Sequence, residues 1–299
     1  MSIAVDSTPA AATESPAAAR LLRSARIGEG PRTRRILIGA AVLAALLVLV
    51  APIAVIFAQA FSAGIAVFAR NIGERETLHA IGLTVTTALI VVPINTVFGI
   101  MAAWAIAKFQ FPGRRLLTTL IEIPFSVSPI VAGVVYLFLY GTQGLLGPWL
   151  QAEGIRVMFT PAAIILVSLF VTSPFVAREL IPLMQAQGRE EEEAAATLGA
   201  NGWQTFFRVT LPNIKWALLY GVVLCNARVM GEFGAVSVVS GGIRGQTNTL
   251  PLQIELLYND YNAVGAFAAA TTLTLLALVT LAAKTLIERR SRRTGRPGH

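Results

Sequence analysis

Gly188-Arg189-Glu190-Glu191-Glu192-Glu193-Ala194-Ala195-Ala196-Thr197-Leu198-Gly199, continuing through Arg208 to Val209-Thr210-Leu211-Pro212, is a charged island in an otherwise apolar chain. Residues 189–198 contain no Gly or Pro and are rich in Glu, Ala and Leu, so they favour a short helix. Four glutamates occupy its first turn, where the positive end of the helix dipole favours negative charge. Gly199 and Gly202 then permit a sharp change of direction. Ala194, Ala195 and Ala196 offer a small-residue surface that a groove on another protein can approach closely. Phe206, Phe207 and Val209 are apolar in a stretch expected to face water, which is easier to explain if a partner covers them. A solvated acidic helix is the alternative that composition alone leaves open.

Outward from this island the chain reads as membrane protein. It is 55% hydrophobic and 13% charged, with a mean hydropathy of +0.67, whereas soluble domains carry about 25% charged residues. Apolar runs near the ~20 residues needed to cross a bilayer lie at 36–61, 78–106, 117–140, 162–184, 214–240 and 262–287. The expected fold is therefore all-α and integral to the membrane, with six transmembrane helices in residues 35–288. A disordered tail is expected over 1–34 and a basic tail over 289–299. The second run contains Pro93 and Asn95, and spans only if neighbours satisfy the freed backbone groups. The Ala58-Gln59-Ala60 stretch faintly resembles a signal cleavage site. The apolar run before it is about 25 residues, against 7–15 for a signal core, so a retained first span is expected.

Basic residues set the orientation. With the N-terminus inside, the inner segments carry Arg20, Arg23, Arg26, Arg32, Arg34 and Arg35, then Lys108, Arg114 and Arg115. Arg189, Arg208 and Lys215 follow, and then Lys284, Arg289, Arg290, Arg292, Arg293 and Arg296. The outer segments hold only Arg70, Arg75, Arg156 and Arg244. Both termini and the acidic island are thus expected on the cytoplasmic side. Topology accounts for the net charge of +8, leaving no reason to invoke nucleic acid.

Charges inside a span are costly and usually face a bundle interior or a water-filled path. The fifth run carries Arg228 and Glu232, four apart and so expected on one helix face, near a stripe of Gly221, Cys225, Gly231 and Ala235 that permits close packing. The pair either neutralises itself at a helix contact or lines the translocation path, with Arg228 presenting charge to an anion. Pro124-Phe125-Ser126-Val127-Ser128-Pro129 should kink the third span. Thr172-Ser173-Pro174 interrupts the fourth, and Arg178 beyond it is expected to snorkel to the interface. Between the fifth and sixth spans an external loop carries Gly242 and Arg244, which either approach an oxyanion or belong to a flexible solvent loop. Cys225 is the only cysteine, His79 and His299 lack ligand spacing, and no Walker A loop occurs. No catalytic residue, metal site or resident cofactor is expected.

The island's skeleton is Glu193-Ala194-Ala195, three residues, Gly199, nine residues, then an apolar residue, any residue, Leu211-Pro212. It resembles the EAA loop of ABC importer permeases, the cytoplasmic elbow that docks on an ATPase. The resemblance implies a type I importer permease architecture and assigns ATPase coupling to Glu193, Ala194, Ala195, Leu198, Gly199 and Pro212. Gly231-Glu232-Phe233-Gly234-Ala235, the Gly-x-Ile-x-Gly-x-Thr run ending at Thr247, and Leu250-Pro251-Leu252 are similar to the sulfate and molybdate permeases. Within them, Phe175–Leu180, Leu218–Leu224 and Val236–Gly241 most resemble the sulfate/thiosulfate permeases of the CysW type. The similarity covers residues 35 to 290. Val209 stands where the EAA pattern usually has Ile, and the four glutamates exceed what the motif requires.

By that resemblance the chain is a non-catalytic permease subunit of the bacterial inner membrane that moves sulfate or thiosulfate. Its implied partners are a dimer of ATPase subunits that binds ATP and Mg, a sister permease of the CysT type, and an extracytoplasmic sulfate-binding protein. A molybdate or tungstate permease shares the Gly231–Ala235 run. A secondary anion transporter would also fit six spans and a buried ion pair, but gives the EAA-like loop no role.

Overall fold

The computed structural model describes residues 31–294, and the tails expected beyond them lie outside the described residues. All regular structure among them is helical. The chain divides into two compact units, up to Val55 and from Ile56 onward. The first unit is formed by α1 (Pro31–Ala45), a π-helical turn at Leu46–Val50 and the start of α2 (Ala51–Phe61). Arg32–Phe61 is a single 30-residue run with mean hydropathy 2.9, enough to cross a membrane. The helix begins four residues before the boundary expected at 35. At the other terminus, helix continues to Thr294 through much of the expected 289–299 tail.

The second unit contains α3 (Ile65–Gly73), α4 (Arg75–Lys108), α5 (Arg114–Ser126), α6 (Pro129–Tyr140), α7 (Gly147–Ala152), α8 (Pro161–Thr172) and α9 (Pro174–Ala186). It continues with α10 (Glu190–Thr197), α11 (Gly202–Thr205), a π-helical turn at Phe206–Thr210, α12 (Leu211–Met230), α13 (Gly234–Ser240), α14 (Leu250–Asn259) and α15 (Ala263–Thr294). Four runs are long and apolar enough to span alone: Arg32–Phe61, Arg75–Lys108, Pro161–Ala186 and Ala263–Ala282. The other two expected spans are broken. α5 and α6 meet at 107°, and the Gly202–Met230 run meets α13 at 48°. The first of these is far more than a kink. A following proline disfavours the helical region, and Ser128, which precedes Pro129, sits at φ −58°, ψ 135° with Val127 extended beside it.

Small residues let α4, α9 and α12 approach closely, as membrane helices do when lipid offers no hydrophobic drive. A Cβ on Gly99 would meet Val176 Cβ at 2.6 Å, and one on Gly221 would meet Val176 Cα at 3.2 Å. Around this seam pack Ala88, Val91, Ala103, Leu180, Met184, Ile214, Cys225 and Val229. A second core joins α6, α8 and α13 through Ala132, Ile164, Val167, Ala235 and Val236. A Cβ on Gly133 would sit 2.8 Å from the Ala235 carbonyl oxygen.

α4 stays continuous through Pro93. Asn95, buried in it, donates to the Leu169 carbonyl at 3.2 Å and to Thr172 Oγ1 at 2.8 Å. Thr172 Oγ1 in turn donates to the Ser168 carbonyl at 2.7 Å. The polar interruption in the second span is therefore satisfied by the fourth, as low dielectric requires.

Candidate functional site

The acidic island folds as a helix that projects from one end of the second unit, here called the loop end. α10 begins one residue later than the sequence suggests and holds all four glutamates in its first turn. Its C-terminus closes in a Schellman motif. Gly199, at φ +87°, donates to the Ala196 carbonyl at 3.0 Å, and Ala200 donates to the Ala195 carbonyl at 3.0 Å. That conformation favours glycine and satisfies two carbonyls that a helix end leaves open. Asn201 then starts α11 with a capping box, its Oδ1 accepting from the Gln204 amide while Gln204 Oε1 accepts from Asn201 N–H. Gly202 lies inside this new helix, so Gly199 alone makes the turn. Pro212 stands in the first turn of α12, where a missing N–H costs nothing.

The apolar side chains of the island divide. Leu198, Trp203 and Phe207 are 89%, 75% and 56% exposed, a patch presented away from the bundle. Trp203 and Phe207 stack with ring centres 6.0 Å apart. Phe206 turns inward, half-buried against Trp104 of α4 at 5.2 Å, and Val209 is half-buried as well. Of the apolar residues expected to need a partner, Phe207 keeps that need and Phe206 and Val209 do not.

The glutamates divide in the same way. Glu192 accepts from Thr210 Oγ1 at 2.7 Å and pairs with Lys108 Nζ at 3.2 Å. Lys108, 7% exposed, also donates to the Gly188 carbonyl. Glu191 accepts from Asn213 Nδ2, whose backbone carbonyl takes a bond from Gln187 Nε2 at 3.3 Å. Glu190 and Glu193 remain exposed. The apparent excess of acid is thus half structural: two carboxylates tie the helix to α4 and α12, and two face outward. Sequence reading counted Lys108 only as an inner charge. The signal available was a lysine ending a long apolar span in a chain with more glutamates than the motif asks for.

At the second candidate site, Arg228 Nη1 and Glu232 Oε2 are 2.6 Å apart, so the expected ion pair forms. Its setting differs from a shared helix face. α12 ends at Met230, and Gly231–Phe233 are not helical. Glu232 is 2% exposed, and its Oε1 accepts the Ala235 N–H at 2.9 Å, capping the first turn of α13. Gly231 and Ala235 therefore leave the stripe that Gly221 and Cys225 share. The reason is local: the Glu232 carboxylate supplies the acceptor that starts the next helix. Arg228 is 31% exposed.

At the opposite, far end the segment expected to be a loop is held tightly. Gly241, Gly242 and Gly245 have φ of +69°, +62° and +65°. Thr247 Oγ1 donates to the Ser240 carbonyl at 2.7 Å and accepts from the Ile243 amide at 3.1 Å. Thr247, Asn248 and Thr249 are buried, and residues 250–259 are the helix α14. Gly242 N–H goes to Ser240 Oγ at 3.2 Å, and Arg244 pairs with Asp260 at 2.7 Å. Both anion-approach candidates thus have protein partners. Arg178 lies over the Phe125 ring at 4.9 Å. No cluster able to hold a metal occurs among the described residues.

Comparison with known proteins agrees with this architecture. The model of the family "binding-protein-dependent transport system inner membrane component" matches residues 95–293. The chain is 58% identical over 252 residues to the sulfate transport system permease protein CysW of Escherichia coli strain K12, covering 84% of this chain and 87% of that one. It is 50% identical over 260 residues to the CysW of Synechocystis, covering 87% and 94%. With the sulfate transport system permease protein CysT of Escherichia coli strain K12 it shares 36% identity over 250 residues, covering 82% and 90%. A crystal structure of a bacterial alginate ABC transporter, bound to an alginate-loaded periplasmic protein, superposes with a TM-score of 0.70. That alignment covers 86% of this chain and 93% of the other at 19% identity, and it shows a common fold. The chain belongs to the family of binding-protein-dependent transport system inner membrane components.

Proposed function

We propose that this chain is one of two permease subunits of an ATP-driven importer that brings sulfate, and by the same chemistry thiosulfate, across the cytoplasmic membrane. The observation that carries the reading is the outward-facing α10–α11 elbow, with Leu198, Trp203 and Phe207 exposed beside Glu190 and Glu193, in a chain so similar to sulfate permeases. A stable apolar patch of this kind asks for a covering partner, and an ATPase groove is the partner that the family supplies. ATP and Mg reside on that ATPase, and this chain does no covalent chemistry. The arginine asymmetry supports cytoplasmic termini, a cytoplasmic elbow and an external 241–261 segment.

In this reading, closure of two ATPase subunits pulls on the elbow around Glu193. This permease and its sister then rock until the path opens to the binding protein outside. Arg228 and Glu232, at the bend between α12 and α13, gate that path. The test is ATP hydrolysis and anion uptake by the reconstituted complex with loaded binding protein, comparing sulfate, thiosulfate and molybdate. Sulfate-stimulated hydrolysis with sulfate uptake is expected. Stimulation by molybdate in preference to sulfate would overturn the anion assignment, and sulfate uptake without an ATPase subunit would overturn the importer class.

A further inference from the structure

α4 is gripped at both of its ends. Its 34 residues extend about 50 Å at 1.5 Å per residue. At the loop end its last turn holds the elbow twice, by Trp104 against Phe206 and by Lys108 between Gly188 and Glu192. The Lys108 ammonium sits where α9 has just ended and α10 begins. It binds the Gly188 carbonyl at one helix C-terminus and the Glu192 carboxylate at the next N-terminus; the first dipole favours the ammonium and the second the carboxylate. Thr210, 3% exposed, closes the cluster from the π-helical turn before α12. At the far end, Thr84 Oγ1 of α4 accepts the buried Leu250 N–H at 2.8 Å, and His79 Nε2 donates to the Gln246 carbonyl at 3.1 Å. One continuous helix therefore joins the docking elbow to the segment that starts α14.

We infer that Lys108 is a positioning residue for transport: its clamp on Glu192 and Gly188 converts movement of the docking helix into movement of α4, which carries it to the Gln246–Leu250 segment. The inference rests on the importer reading above. A buried ammonium suits this task because separating it from its acceptors is costly in either direction, so the elbow and α4 shift together. Glu190, Glu193, Leu198 and Trp203 stay free to bind the ATPase, so grip and docking use different side chains of the same elbow.

The experiment uses the full complex of both permeases, the ATPase and loaded binding protein in proteoliposomes. It compares Lys108→Met, Lys108→Arg and Glu192→Gln for ATPase co-purification and for sulfate moved per ATP hydrolysed. Lys108→Met is expected to retain the ATPase while sulfate per ATP falls about tenfold, the upper range for a coupling residue. Lys108→Arg should restore most of the ratio, a rescue that a merely structural position would not require. Glu192→Gln, which keeps its shape and its acceptor oxygen, should fall in the same direction and decides the matter if Lys108→Met does not accumulate. Wild-type ratios in both Lys108→Met and Glu192→Gln overturn the clamp alone. Loss of the ATPase from these variants also overturns it, since the residues would then shape the docking surface rather than carry its movement. A wild-type complex that does not couple hydrolysis to uptake overturns the importer reading, and the clamp with it.

Discussion

The apolar run from Arg114 to Tyr140 turns through 107° at the extended Val127-Ser128 pair before Pro129, whereas the run ending at Ser240 turns through only 48° around a carboxylate. The first bend is favoured by the local sequence: Pro129 disfavours helical geometry at Ser128, which is extended together with Val127. The second bend is conditional. Glu232 maintains it through two contacts, the Arg228 guanidinium and the Ala235 amide.

The harshest way to break this contrast is Glu232→Ala. It uncaps α13 and leaves Arg228, which is 31% exposed, without its partner, a loss of about 1–3 kcal/mol. We expect reduced protein in the membrane and a clear drop in thermal stability of whatever is purified; near-normal stability would mean that the bend does not depend on Glu232. Next comes the double variant Arg228→Met, Glu232→Met, which removes both charges together. Protein level should recover most of the way, but sulfate uptake should not. Full uptake in the double variant would leave the pair a purely structural device. Pro129→Ala should cost only about 1 kcal/mol, because the residue occupies the first turn of α6, where its loss mainly frees the unfolded chain. A collapse in expression with this variant would invert the comparison. Arg244→Ala comes last. Its ion pair with Asp260 is about half exposed at both partners, and such pairs are worth about 0–1 kcal/mol. Uptake and stability near wild type are expected, and a large rise in the sulfate concentration needed for uptake would return Arg244 to the anion path.

Sequence pattern made the spans and the elbow legible because both are local. Apolar length marks a membrane helix whatever it packs against, and Glu190–Thr197 followed by Gly199 carries its own start and stop signals. The breaks were less visible. Hydropathy treats residues 214–240 as one run, since Gly231 and Phe233 are as apolar as their neighbours and the only sign of interruption is a glutamate that also reads as half of a helical pair. The far-end segment is legible in part. Residues 241–246 are exposed turns, as their glycines suggest, but the burial of Thr247–Thr249 and the contacts of Gln246 and Leu250 with His79 and Thr84 come from far away in sequence. The Lys108–Glu192 clamp was hidden in the same way, its two halves read separately as an inner charge and a surplus acid. Contacts between distant residues leave no period and no spacing to find.

The amide of Asn95 has a consequence for how the chain enters the membrane. Its partners, the Leu169 carbonyl and Thr172 Oγ1, belong to a segment synthesised more than seventy residues later. Until that segment follows, the Asn95 amide lacks the partners it has in the finished fold, and an unsatisfied polar group in hydrocarbon is costly. Pairing with residues 161–172 is thus a step that insertion of the earlier helix alone does not complete.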